Sequence, residues 1–350
     1  RPEIHQMNAY HVPPATGVIK LNAMENPYAW PESLQAPWQA HLATTAINRY
    51  PDPTAAQVCD RIRSVFDVPS GQAVLLGNGS DELIQLLIMG LAKPDCVVVA
   101  PAPTFVMYEH LSRALRVGYV SVDLKPDFQL DTEAFLRAIE CHRPAITFIA
   151  YPNNPTGNLF DGESVKSIIE AAPGLVVVDE AYEAFAGRSA VDWLERYPNL
   201  LILRTLSKSG FAGIRLGYMV GSKDWLDEFD KLRLPYNINV LTQACAEFAL
   251  SHYDAFRDQT HRIVAERSVM IDGLRGIQGV EAFPSDANFV LFRVPAGTAS
   301  AVVEGVLRQG VLIKNFDGAH PLLRDCLRVT VGTPQENQTF LNALRQVVTN

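Results

Sequence analysis

The sequence predicts an α/β fold: a large unit with a mostly parallel central sheet flanked by helices, joined to a smaller α+β unit. Three observations predict it. From about residue 55 to 250, short β-branched or apolar runs alternate with longer segments of helical period, as parallel βαβ units require. Past Val240 a long helical pattern to about Gly276 is followed by strands and helices in a different order. With 350 residues, 48% of them hydrophobic and 19% charged, the chain is long and apolar enough to fill one large or two moderate units.

Taken in order, the first fifty residues lack strong periodicity and are rich in proline (Pro2, Pro13, Pro14, Pro27, Pro31, Pro37), which predicts an extended arm. Strands are predicted at 73–76, 97–100, 145–151, 175–179, 200–204 and 215–221, with helices starting near Asp81, Phe105, Asp131, Asp161 and Ser222. Further on, strands are expected at 288–294 and 326–332, with a helix near 298–309 between them. The division that follows is a large unit at 46–254 and a discontinuous smaller one made of 1–45 and 255–350.

A formal net charge of -8 with scattered Lys and Arg argues against nucleic-acid binding, which needs clustered cations. Cys59, Cys96, Cys141, Cys245 and Cys326 are widely spaced without a CxxC pair, so neither a zinc site nor a disulfide framework is indicated. Apolar stretches such as 86–92 fall far short of the roughly 20 residues of a membrane helix. A soluble chain of the reducing cytoplasm, with no membrane and no metal, is expected.

The chemistry-bearing residues cluster at predicted strand ends, the edge of an α/β sheet where ligands collect. LVVVDEAY puts Asp179 at the end of a buried strand and Tyr182 three residues later. Alone, such an Asp is more often the cap of the next helix. TLSKSGFAGIRLG places Thr205, Ser207, Lys208 and Arg215 in one turn-rich segment after another apolar strand. A lysine used covalently needs partial desolvation to lose its proton, which a strand end in a cleft supplies. The small residues Ser207, Ser209 and Gly210 leave room for a ligand, and Arg215 offers a fork suited to phosphate. YPNNPTG at 151–157 brings Asn154 to the same edge, though turn chemistry alone makes it a loop. GNGSDELI at 77–84 opens a helix whose first N–H groups, those of Ser80 and Asp81, suit an anion; an ordinary strand-to-helix turn looks the same. In PAPTFVMY, Phe105 offers either a ring to stack on a planar ligand or a core side chain, and Tyr50 in RYPDP is open to the same two readings.

Together, NNPTG, DEAY and TLSK before GIRLG resemble, in order and spacing, the fold-type I pyridoxal-phosphate-dependent aminotransferases. The similarity covers nearly the whole chain and is greatest to the histidinol-phosphate aminotransferases. It implies pyridoxal 5'-phosphate as cofactor, carried covalently on Lys208, with Asp179 paired to its ring nitrogen. It implies that Asn154 and Tyr182 hydrogen-bond the cofactor's phenolic oxygen and that Phe105, usually Tyr in the family, stacks on its ring. Thr205, Ser207, Arg215 and the N–H groups of Ser80 and Asp81 would hold the phosphate, with Tyr50 reaching it from the neighbouring subunit of a homodimer with shared sites. Arg328, in CLRVTVGT, matches a carboxylate-clamping arginine, and Tyr10, Asn26, Tyr236, Asn237, Asn288 and Lys314 fall on the substrate side.

Three positions depart from the family pattern. Lys314 stands where many members have Arg, Met24 where Asn is common, and the interval from Lys208 to Arg215 is one residue shorter than in many aminotransferases. The activity implied is transamination of a small-molecule amino donor with a 2-oxo acid acceptor: histidinol phosphate and 2-oxoglutarate to imidazole acetol phosphate and glutamate, a step of histidine biosynthesis. Aromatic-amino-acid transamination and threonine-phosphate decarboxylation on the same scaffold are the alternatives. A dehydrogenase is disfavoured because no GxGxxG opening is present.

Overall fold

The structure is a computed structural model that describes residues 1–5, 7–9 and 13–349. A short helix Pro2–His5 and strand β1 (Ile19–Lys20) precede the main sheet. Its strands are β2 (Gln72–Gly77), β3 (Val97–Ala102), β4 (Gly118–Asp123), β5 (Ile146–Ala150), β6 (Leu175–Asp179), β7 (Leu200–Thr205) and β8 (Gly217–Ser222). They lie in the order β2-β8-β7-β6-β5-β3-β4. Pairing is parallel from β7 through β4, whereas β8 runs against both β2 and β7.

Burial explains why these segments read as apolar runs. All five residues of β6 are buried: Val176 and Val178 enter one core with Ile202 and Phe135, and Val177 enters another with Phe148, Leu201 and Leu83. Helices therefore cover both faces, as a parallel sheet requires. The helices foreseen near Asp131 and Asp161 do start there, because each Asp accepts the N–H three residues on, Ala134 and Ser164, at 3.0 and 2.9 Å.

The second sheet, β12 (Lys314–Asn315), β13 (Cys326–Thr330), β10 (Phe289–Arg293) and β9 (Glu281–Ala282) in that order, is antiparallel. It shares a core with the helices Tyr253–Arg275, Ala299–Arg308 and Pro334–Thr349. β1 pairs in parallel with β11 (Val311–Leu312), docking the start of the chain there.

Three expectations need correction. The first fifty residues are not wholly extended: Glu32–Ala43 is a helix despite Pro37 inside it. Its Trp38 packs on Trp30 and Phe248 at 5.5 and 5.6 Å, and that aromatic burial outweighs the proline's lost hydrogen bond. The long pattern after Val240 is two helices, Val240–Ser251 and Tyr253–Arg275, broken at His252. The strand foreseen from Arg215 starts at Gly217, because Arg215 has a left-handed backbone (φ 51°) that closes the turn before it. β4 and the helices Ala56–Val65 and Pro334–Thr349 were not foreseen.

Candidate active site

The sheet topology brings five loops to one edge. β3, β5, β6 and β7 run the same way, so Asp179 at the end of β6 and the segments after the other three, bearing Phe105, Asn154 and Lys208, lie at one end. Gly77 pairs with Gly217, and Gly217 with Thr205, which brings the GNGS turn to the same end. This is the crevice outside the carboxyl ends of the strands.

Asp179 is buried at the end of β6 and caps no helix. Its Oδ1 accepts the Ala181 N–H at 3.1 Å, and its Oδ2 accepts the Tyr108 hydroxyl at 2.6 Å. Among the described residues no cation is paired with it, and burial pushes its carboxyl up to about 6 against the pull of these two donors. A buried carboxylate so placed suits a ligand that brings a positive N–H. Tyr108 was not foreseen, although it lies in the same PAPTFVMY segment one helical turn after Phe105. The half-buried ring of Phe105 packs edge-on against it at 5.6 Å.

Lys208 ends a single 3-10 turn, Leu206–Lys208, started by Thr205, whose hydroxyl accepts the Ser207 N–H at 3.2 Å. Its amine donates to the Ala23 carbonyl at 3.2 Å and lies 5.8 Å from the Tyr182 ring. Burial first, then the Arg328 guanidinium, brings this amine down to about 8, so that its neutral, nucleophilic form is accessible near neutral pH.

Beside it, Arg215 donates to the Ser207 hydroxyl at 3.3 Å and faces Asp81 at 3.8 Å. A Cβ on Gly79, whose φ is +80°, would fall 2.6 Å from Arg215 Nη2, and one on Gly217 would fall 2.5 Å from the Ser80 nitrogen. The two glycines thus keep open a cradle rimmed by Arg215, Ser207 and the first N–H groups of helix Ser80–Leu91, which have no acceptor within the helix. Its donor set suits a phosphate group.

Opposite stand the smaller sheet's cations. Arg328 is buried between the rings of Phe289 and Phe316, each 5.0 Å away, and donates to Asn154 Oδ1 and to the Asn22 carbonyl. Because Asn154 accepts through its oxygen, its amide N–H is left to face a ligand. Lys314 pairs in register with Arg328 on the neighbouring strand, and burial, then Arg328, lowers its amine. In an acidic chain, Lys208, Arg215, Lys314 and Arg328 gather positive charge in one crevice. Tyr182 is buried and packs edge-on against Phe289 at 5.1 Å.

The other expected residues are differently placed. The fully buried Asn288 donates to the Met24 carbonyl at 3.0 Å, fixing the segment that lies over Lys208. Asn26 has both ends of its amide bonded within the fold, to Gln259 and the Tyr28 N–H. Asn237 is likewise engaged by Arg233, Glu82 and the Leu76 carbonyl. Within one chain Tyr50 does not enter the cradle: 81% exposed, it stacks on Tyr236 at 4.5 Å. Tyr10 lies outside the described residues.

Residues 16–344 match the family model for aminotransferases of class I and II. The chain is 50% identical over 345 residues to histidinol-phosphate aminotransferase 2 of Nitrosococcus oceani, covering 99% of this chain and 96% of that one. It is 49% identical over 346 residues to histidinol-phosphate aminotransferase 1 of Burkholderia lata, again with 99% and 96% covered. The solved structure of histidinol-phosphate aminotransferase from Sinorhizobium meliloti in complex with pyridoxal-5'-phosphate matches with a TM-score of 0.87 at 23% identity. That match covers 99% of this chain and 97% of the other, and is a likeness of fold.

Proposed function

The chain belongs to the class I and II aminotransferase family, and from that premise we propose that it transaminates histidinol phosphate with 2-oxoglutarate, using pyridoxal 5'-phosphate. The observation that carries this reading is the convergence of Lys208, the unpaired-by-cation Asp179 and the glycine-lined phosphate cradle on one sheet edge.

Lys208 holds the cofactor covalently, and Asp179 accepts the N–H of its ring. Phe105 stacks on the ring, Asn154 and Tyr182 donate to its phenolic oxygen, and Thr205, Ser207, Arg215 and the N–H groups of Ser80 and Asp81 hold the phosphate. Bound there, pyridoxal phosphate supplies an electron sink for the charge left when the amine-bearing carbon of the substrate loses its proton. Once the substrate's amine has displaced it, the freed Lys208 amine, whose proton affinity burial lowers, is the base that takes that proton and returns it on the other side of the exchange. Asp179 keeps a positive N–H in the crevice by remaining ionised beside it.

Arg328, with Lys314 beside it, binds the anionic end of each substrate, the phosphate of histidinol phosphate and a carboxylate of glutamate or 2-oxoglutarate. Residues 46–254 form the cofactor-binding unit, and 1–45 with 255–350 form the unit that carries Arg328 and Lys314. The functional form is a cytoplasmic homodimer. Its support is the exposure of the large apolar side chains Ile47, Tyr50, Leu234 and Tyr236, of which Tyr50 and Tyr236 stack on each other, and from here Tyr50 reaches the cofactor phosphate of the second copy. No described helix is long and apolar enough to cross a membrane.

The test is an absorbance spectrum with added pyridoxal phosphate, followed by kinetics. A visible band that histidinol phosphate bleaches is expected, with kcat/KM for histidinol phosphate well above that for phenylalanine and no carbon dioxide released from threonine phosphate. No band, or equal turnover of phenylalanine, overturns the reading.

A further inference from the structure

We propose that Tyr108 is a positioning residue that holds the Asp179 carboxylate in place and keeps it charged, acting through one hydrogen bond rather than by touching substrate. The proposal rests on the reading of Asp179 as the partner of a cofactor ring nitrogen.

Tyr108 is wholly buried in the helix Met107–Ala114, and its ring stacks on Phe148 of β5 at 4.5 Å and 4°. A phenol there needs a partner for its hydroxyl, and it donates to Asp179 Oδ2 at 2.6 Å. The ring cannot swing away, since Phe148 covers its face and Phe105 abuts it at 86°. One side chain therefore fixes both the carboxylate and the ring expected to stack on the cofactor.

The chemistry of the donor matters. A Lys or Arg here would neutralise Asp179 and leave it no charge to offer a ligand. With no donor, a buried carboxyl would take up a proton. A neutral phenol stabilises the anion without cancelling it. Burial first, then Asp179 itself, drives the Tyr108 hydroxyl well above its usual range, so it donates its proton without losing it.

Tyr108→Phe removes the hydroxyl and keeps both ring contacts. In the cofactor-free protein, the protonated-carboxyl infrared band that Asp179→Asn abolishes should titrate about one pH unit higher in Tyr108→Phe than in the parent chain. Titrating each protein with pyridoxal 5'-phosphate and following tryptophan fluorescence should show binding weakened roughly twofold at pH 7 and approaching tenfold at pH 5 by the same change, because only the ionised carboxylate binds the ring N–H. In the Asp179→Asn background, Tyr108→Phe should cost nothing further in cofactor affinity or kcat, whereas a merely structural role would add its loss. An unmoved carboxyl titration, or losses that add in the double variant, overturns the proposal. If the parent chain itself fails to bind pyridoxal 5'-phosphate, the proposed function falls, and the infrared titration still decides whether Tyr108 sets the state of Asp179.

Discussion

Arg328 of β13 donates a hydrogen bond to the side-chain oxygen of Asn154 in the loop after β5, so one guanidinium ties the smaller sheet to the larger beside Lys208. It is held there by two aromatic rings and by the Asn22 carbonyl, which fixes its planar fork toward the crevice. If it binds the anionic end of both substrates, Arg328→Ala should raise KM for histidinol phosphate and for glutamate together. A fall in kcat/KM of about 100-fold, near 3 kcal/mol, is expected for each. Arg328→Lys should restore little, since an ammonium cannot replace a fork that serves Asn154 and a ligand at once. A rise in KM for one substrate alone would assign Arg328 to that half-reaction only.

Asp179 is held at a cost in stability, and the sign of its pH dependence can be worked out. Burial raises its carboxyl to about 6 from an ordinary 3.8. Below 3.8 both folded and unfolded chains are protonated there and nothing is lost. Between 3.8 and 6 the unfolded chain releases the proton first, so stability falls as pH rises, and above 6 the penalty is complete. Asp179→Asn, whose amide can still accept from Ala181 and bond the Tyr108 hydroxyl, should stabilise the cofactor-free protein by up to about 3 kcal/mol at pH 7. The gain should shrink to about 1 kcal/mol at pH 4.5. Urea unfolding at the two pH values checks it, and an equal effect at both would refute the assignment.

Gly79 is the clearest case of a residue chosen for what it lacks. Its φ of +80° is one that a side chain resists, and a Cβ would press on Arg215 Nη2. Gly79→Ala should displace the guanidinium and weaken binding of pyridoxal 5'-phosphate by about tenfold or more, the scale of one lost charge-assisted hydrogen bond. Binding of pyridoxal, which lacks the phosphate, should hardly change. Equilibrium titrations with the two compounds separate loss of the cradle from general damage; equal weakening of both would point to the latter.

Much of this site was legible because its residues sit at chain positions with a physical meaning. Asp179 ends one apolar run and Lys208 follows another within three residues, and an apolar run both of whose faces are buried is an inner strand with its end at the crevice. Tyr108 was not legible: its partner is 71 residues away, and in sequence it is one more aromatic in an amphipathic helix. For the same reason Asn26 and Asn237 looked available, whereas their partners are Gln259 and Glu82. Strand β4 escaped notice because, at the sheet edge, Val122 is its one buried residue. The last helix does carry a start signal in the sequence. Thr333 and Glu336 form a capping box, each side chain bonding the other's N–H at 3.3 and 2.8 Å.

Directly behind the site, Glu180 and Arg204 form a buried ion pair at 2.8 Å. Glu180 also accepts from Ser189 and the Ala190 N–H, and Arg204 donates to Ser189, so the pair is embedded in a bonded network. Each partner adjoins a site residue, since Glu180 follows Asp179 and Arg204 precedes Thr205. Replacing both by apolar groups removes two buried charges together, whereas replacing one strands the other. Arg204→Met should therefore destabilise the protein by about 3–5 kcal/mol. Adding Glu180→Leu should recover a large part of that loss, because the fully buried carboxylate is then gone, and Glu183, 3.9 Å from the guanidinium, is the less buried of the two acids that Arg204 faces. Urea unfolding of the single and double variants measures the difference. If the double variant is no more stable than Arg204→Met, the loss arises from packing around Phe66, over whose ring the Arg204 guanidinium lies at 5.8 Å, and not from the stranded charge.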